Sequence, residues 1–175
     1  MGLDQSIYRQ KRDVYDEIAN LKRELRSRDD EFYQSHSKEV DELSAKINAL
    51  YQSGNSGDEV DWNEINKIRE DFQAKYPDFF NKKIELEKKV EELSGDKEEM
   101  SYFTDWSFHQ YLSKLYGEDI ENLTIRVIDK DGFQKILSGI GKDYQPNDDY
   151  TVQRDIEDIV ENYDDEYVYY YYAWW

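Results

Sequence analysis

Apolar positions along the chain change period several times, and each change predicts an element. Residues 2–9 predict a short first strand, with Leu3, Ile7 and Tyr8 as its apolar members. From Lys11 the period lengthens. Val14, Ile18, Leu21 and Leu25 recur in alternating steps of four and three, the narrow seam of a coiled coil. Asp29 and Asp30 predict a cap, and a second helix follows with Val40, Leu43, Ile47 and Leu50 on one seam. Gly54, Asn55, Ser56, Gly57 and Asp58 predict a loop. A third helix carries Trp62, Ile65, Ile68, Phe72 and Tyr76 and ends before Pro77, because proline disfavours helix in its predecessor. A fourth carries Phe79, Leu86, Val90 and Leu93 and stops at Gly95. Stripes in succession predict antiparallel helices that bury their seams on each other, so these apolar residues read as packed core.

The second half of the chain mixes periods. Thr104 or Asp105 predicts the cap of a helix with Trp106, Phe108, His109, Leu112 and Leu115, closing at Gly117. Leu123, Ile125 and Val127 alternate as a short strand, and Asp129 caps a helix with Phe133, Ile136, Leu137 and Ile140. Gly139, Gly141, Pro146 and Asn147 predict a loop. Thr151 then caps a helix whose apolar face is Val152, Ile156, Ile159, Val160 and Tyr163. The ending, YVYYYYAWW from residue 167, predicts a strand, since aromatics favour a pleated, half-buried surface. The expected fold class is α+β, predominantly helical. Residues 1–10 and 101–175 form a small acidic α+β core with N- and C-terminal strands, and residues 11–95 insert an antiparallel, coiled-coil-like arm.

Charge changes this picture. The 175 residues carry a formal net charge of −18, with a pI near 4.4, and −10 of it falls in residues 101–175. Such a chain repels nucleic acid and anionic membranes and is drawn to basic surfaces. There are no cysteines, which excludes disulfides and thiolate chemistry and fits a reducing cytoplasm. No apolar run approaches the roughly 20 residues that span a bilayer, and the opening MGLDQSIYRQKR has no apolar signal core. The final helix and what flanks it concentrate acids: Asp148, Asp149, Asp155, Glu157, Asp158, Glu161, Asp164, Asp165 and Glu166. Acids three or four apart on a helix lie roughly 5–6 Å from one another, a fixed row of negative charge near the spacing scale of phosphates. The plain reading is a solvated helix face before the last core strand. The functional reading is a partner-binding surface that imitates nucleic acid.

Three pieces carry a resemblance. They are the opening Met1-Gly2-Leu3-Asp4 with Ile7-Tyr8, the stretch WSFHQYLSKLYGEDIENLTIRVIDKDGFQKILSGI at residues 106–140, and the ending Tyr169-Tyr170-Tyr171-Tyr172-Ala173-Trp174. Together they resemble a family of small phage and prophage proteins that typically begin MGLDMYLY and end in tyrosines before a small residue and tryptophan. The likeness covers residues 1–9 and roughly 102–175, and the helical region between looks like an insertion. Gln5-Ser6 stands where the family has an apolar pair, and Asn122 lies near the family's usual cysteine, so no thiol or metal role carries over there. The resemblance implies a phage origin and an α+β core whose first and last strands are neighbours; it supplies no activity.

Chemistry is sparse. The two histidines are His36, at a polar Ser35-His36-Ser37 stretch that reads as solvent-facing, and His109, among Trp106, Phe108 and Leu112, which reads as a satisfied, partly buried histidine. Asp129-Lys130-Asp131-Gly132 starts like a calcium loop, but its glycine comes two positions early and the terminal glutamate is missing, so it reads as a cap and turn. No phosphate-binding glycine motif occurs. No catalytic residue, metal or cofactor is therefore expected. The leading expectation is a phage-encoded inhibitor of a bacterial defence system, of anti-CRISPR or anti-restriction type, acting in the host cytoplasm. Its partner would be a basic nucleic-acid-binding protein (a nuclease, restriction enzyme or CRISPR effector), with no direct nucleic acid and no membrane. The alternative is a phage adaptor or structural protein that binds through the arm, with no nucleic-acid mimicry. Under either reading the coiled-coil stripes permit a homodimer, and an intrachain hairpin satisfies them equally well. A metal-dependent hydrolase using Asp148 or Asp149 with His109 is the third class.

Overall fold

The computed structural model describes residues 3–54, 60–117, 120–146 and 151–174. The chain divides into two compact units, Met1–Asp16 with Gly95–Trp175, and Glu17–Ser94. The fold is predominantly helical α+β, with one small antiparallel sheet. No helix of the described residues is long and apolar enough to cross a membrane.

The first unit is built on four strands: β1 (Asp4–Lys11), β2 (Glu98–Phe103), β3 (Ile125–Val127) and β4 (Tyr167–Trp174), in the order β2-β1-β4-β3. All neighbours are antiparallel, and β1 pairs with β4 along its whole length, from Asp4 opposite Trp174 to Lys11 opposite Tyr167. Side chains alternate across a strand. Gln5 and Ile7 of β1 and Tyr169, Tyr171 and Ala173 of β4 therefore share one face, which is buried. Ile7, Tyr169, Tyr171 and Ala173 join Phe108, Leu112, Phe133, Ile136, Ile156 and Ile159 in a single core. Those last six come from α4 (Trp106–Tyr116), α5 (Lys130–Gly139) and α6 (Thr151–Glu161), so these helices cover that face.

Local signals explain the helix ends. The Asp105 carboxylate accepts from the backbone N–H groups of Ser107 and Phe108, and α4 closes at Gly117 in the left-handed region (φ 67°). Asp129 caps α5 by accepting from Gly132 N at 2.7 Å, the cap-and-turn role expected of it.

β2 is an element that periodicity does not predict, because DKEEMSYF mixes charges with apolar residues and pairs along only one edge. Its register against β1 shifts between Ile7 and Tyr8, skipping Met100. That bulge sets Glu99 opposite Tyr8. The predicted strand at Leu123, Ile125 and Val127 shortens to β3, and its apolar residues are exposed rather than core.

The second unit holds most of α1 (Arg12–Gly54), with α2 (Trp62–Lys75) and α3 (Pro77–Ser94). The seam residues Ile18, Leu21, Ile65 and Leu86 are buried, and Val40, Leu43, Ile47 and Leu50 are half-buried. Two expectations need correction. Asp29 and Asp30 do not cap a second helix: α1 runs through them, and Asp29 instead accepts from Lys83 Nζ of α3 at 2.9 Å. The interruption falls at His36, whose backbone leaves the helical region (φ −130°, ψ 22°). His36 is half-buried, not solvent-facing. It stacks on Phe32 at 4.5 Å and meets the Tyr76 ring at 4.6 Å, with Nδ1 3.1 Å from the Phe32 carbonyl. Phe32, seven residues beyond Leu25, extends the first seam and contacts Phe72, Tyr76, Phe79 and Phe80 as well. An aromatic cluster thus supplies the packing that the aliphatic seam lacks there.

Candidate interaction surface

α6 is amphipathic in three dimensions as it is in sequence. Val152, Ile156 and Ile159 are buried in the core, while Glu157, Asp158 and Glu161 are exposed. After the helix, Asp165 and Glu166 are exposed as well. Between residues 151 and 166 the only cation is Arg154, against seven carboxylates. Among the described residues, no lysine or arginine forms an ion pair with Glu157, Asp158, Glu161, Asp165 or Glu166. Their hydrogen bonds are local: Gln153 donates to Glu157, and Asn162 to Asp158.

Two of the predicted acids are used inside the fold. Asp155 accepts from Ser101 Oγ of β2 at 2.7 Å and keeps only 20% of its side chain exposed, so it ties the helix to the sheet. Asp164 is half-buried and accepts from Glu166 N, closing the turn into β4. Asp148 and Asp149 lie outside the described residues. The exposed row is therefore Glu157, Asp158, Glu161, Asp165 and Glu166. The opposite face of α6 packs into the core, and Arg12 anchors the approach to β4: Arg12 N donates to Glu166 O at 2.8 Å and Nε to Asp165 O at 3.1 Å.

His109 belongs to a buried polar relay rather than to an open site. Its Nδ1 lies 2.8 Å from Tyr171 Oη, which donates to Gln5 Oε1 at 2.7 Å; Gln5 Nε2 donates to the Asp105 carbonyl at 2.8 Å. Tyr144 Oη donates to Asp105 Oδ2 at 2.5 Å. Burial pushes the Asp105 carboxyl up, but hydrogen bonds from Ser107, Tyr144 and the backbone outweigh it and hold the group below the usual carboxylate range. Burial pushes the His109 imidazole down, against an opposing hydrogen bond with the Ile120 backbone. The sequence did not signal this relay: its members are far apart, with Gln5 and Tyr171 separated by 166 residues. The relay satisfies buried polar groups around the core.

In the second unit, a groove of about 170 Å³ runs between α1 and α2, lined by Leu43, Ile68 and Phe72 with Glu39, Lys46 and Asp71 among the charged groups. Lys75 pairs with Glu39 across it at 3.7 Å. Among the described residues no group of three or more histidines and carboxylates is arranged to hold a metal ion. Compared with protein-family models, curated proteins and solved structures, the chain has no match in any of the three.

Proposed function

We propose that the protein is a phage-encoded inhibitor of a bacterial defence system that acts by occupancy. It covers the basic nucleic-acid-binding surface of a nuclease, restriction enzyme or CRISPR effector. The observation that carries this reading is the exposed carboxylate row on and after α6, which among the described residues forms no ion pair with a lysine or arginine and sits on the core beneath the helix. Glu157 and Glu161 lie one turn apart, and roughly 5–6 Å is a workable interval for pairing with successive arginines or lysines of a phosphate-binding cleft. Each exposed carboxylate contributes little alone, so affinity comes from several acting together, and it weakens as salt screens them. The phage-like opening, central stretch and ending agree with this assignment.

The test uses a bacterium whose defence system restricts a phage or plasmid. Expression of the protein should restore plating or transformation. The combined variant Glu157→Gln, Asp158→Asn, Glu161→Gln and Asp165→Asn should lose that protection while keeping its circular dichroism spectrum, because all four side chains point into solvent. Full protection by the neutralised protein would sink the mimicry.

A second reading, an adaptor that binds through the arm, is favoured by the amphipathic groove between α1 and α2. In that case Ile68→Lys would abolish partner capture, and the neutralised α6 variant would not.

A further inference from the structure

The sheet has a second face, opposite the core helices, and its chemistry differs from that of α6. Register assembles it. Tyr102, Ser6, Tyr172 and Ile125 pair in turn across all four strands, and Glu99, Tyr8, Tyr170 and Val127 form the next row. Asp4 opposite Trp174 continues the face. Part of it is covered: Tyr15 packs on Tyr170 at 6.1 Å, and Tyr170 is buried. Ser6 is buried and Tyr172 and Trp174 are half-buried, whereas Tyr102 at one edge of the sheet and Ile125 and Val127 at the other are 50%, 43% and 47% exposed. The adjoining Leu123 is 62% exposed. Leu123, Ile125 and Val127 form an exposed apolar strip along the β3 edge, with exposed Tyr102 at the opposite edge, and in a chain of mean hydropathy −1.05 such side chains mark an interaction surface.

Electrostatics choose among occupants. Asp4 accepts from Tyr102 Oη at 2.5 Å and Glu99 from Ser6 Oγ at 2.6 Å, so both carboxylates are anchored on this face by its own hydroxyls. Among the described residues neither forms an ion pair. Tyrosine rings of this sheet already accept cations: Lys97 Nζ lies 4.3 Å from the Tyr8 ring centroid and the Arg9 guanidinium 4.7 Å from that of Tyr167. A second copy of the chain, or a nucleic acid, would bring more negative charge to a protein of net charge −18.

We infer that this open face is a docking site for a cationic, aliphatic segment of a partner protein. Its arginines or lysines lie over Tyr102 and Tyr172 beside Asp4 and Glu99, and its apolar side chains cover Ile125 and Val127. This surface is separate from the α6 row, which lies on the helical side of the sheet, and the two stand or fall independently.

The experiment titrates the full-length, isotopically labelled protein with a short acetylated peptide alternating arginine and valine, and follows backbone and indole NMR signals. Shifts should map to Tyr102, Ile125, Val127, Tyr172 and Trp174. The same peptide with glutamate for arginine should leave them unmoved. Tyr102→Ala should weaken binding by about fivefold or more, the scale of a cation–π contact with its ring. Val127→Lys should weaken it as well, and the neutralised α6 variant should retain the same map. Both substituted sites are exposed, and unchanged spectra elsewhere confirm folding. The inference is overturned by shifts confined to α6, by an absence of binding, or by undiminished binding to both sheet variants. It is equally overturned if a single-stranded oligonucleotide produces the same sheet map.

Discussion

The Tyr171 ring lies in the core while its hydroxyl links His109 to Gln5, so one side chain serves packing and polar satisfaction together. Burial pushes its phenol well above the ordinary tyrosine range, which keeps it neutral and able to donate. Tyr171→Phe preserves the packing but strands two buried polar groups; a loss of about 1–3 kcal/mol in urea unfolding is the expected result. His109 gives the stability a pH dependence of definite sign. Its folded pKa is depressed, so above the ordinary histidine value of about 6.5 both states are neutral and it contributes no slope. Below that value the unfolded chain takes up the proton first, and stability falls as pH falls. Comparing His109→Gln with the parent from about pH 7.5 to about pH 5.5 should show a shallower decline in the variant. An identical slope would mean that His109 titrates normally in the fold.

At the scale of elements, the seams and the caps at Asp105, Gly117 and Asp129 were legible, and the break in α1, expected at Asp29 and Asp30, was not. Asp105, Gly117 and Asp129 act where local rules put them, because a cap is a contact between residues a few positions apart. The interruption at His36 coincides with ring contacts from Phe32 and from Tyr76 beyond the following loop, which no local rule sees. Phe32→Ala removes the ring on which the cluster converges and should cost about 2–4 kcal/mol, read as an earlier urea transition of the helical signal. A change below about 0.5 kcal/mol would mean that the aliphatic seams carry the arm alone. β2 was missed for a related reason: its identity as a strand comes from pairing with β1, some ninety residues earlier in the chain.

For the whole molecule the dominant quantity is the net charge of −18. Self-repulsion among carboxylates weakens the folded state at low ionic strength, and salt relieves it. Raising sodium chloride from about 20 mM to about 300 mM, a range that shortens the Debye length from roughly 20 Å to under 10 Å, should therefore raise the melting temperature. Over the same range, binding of the protein to a basic target should weaken. A melting temperature that falls with salt would mean that internal ion pairs such as Lys83–Asp29 and Lys89–Glu17 outweigh the repulsion.

The helical stripes, the terminal strands, the caps at Asp105, Gly117 and Asp129 and the acidic bias of residues 101–175 were all written in the chain, because each follows from spacing or composition. The tertiary structure alone decided which acids remain available. Asp155 and Glu157 sit in the same acidic run, but Ser101, 54 residues away from Asp155, takes the first out of solvent and leaves the second in it. It also decided that tyrosines alternating along β4 divide between the core, which takes Tyr169 and Tyr171, and a second face on which Tyr170 is buried under Tyr15 and Tyr172 is half-buried. Alternation says only that two faces exist; which of them the helices cover depends on packing partners distant in the chain.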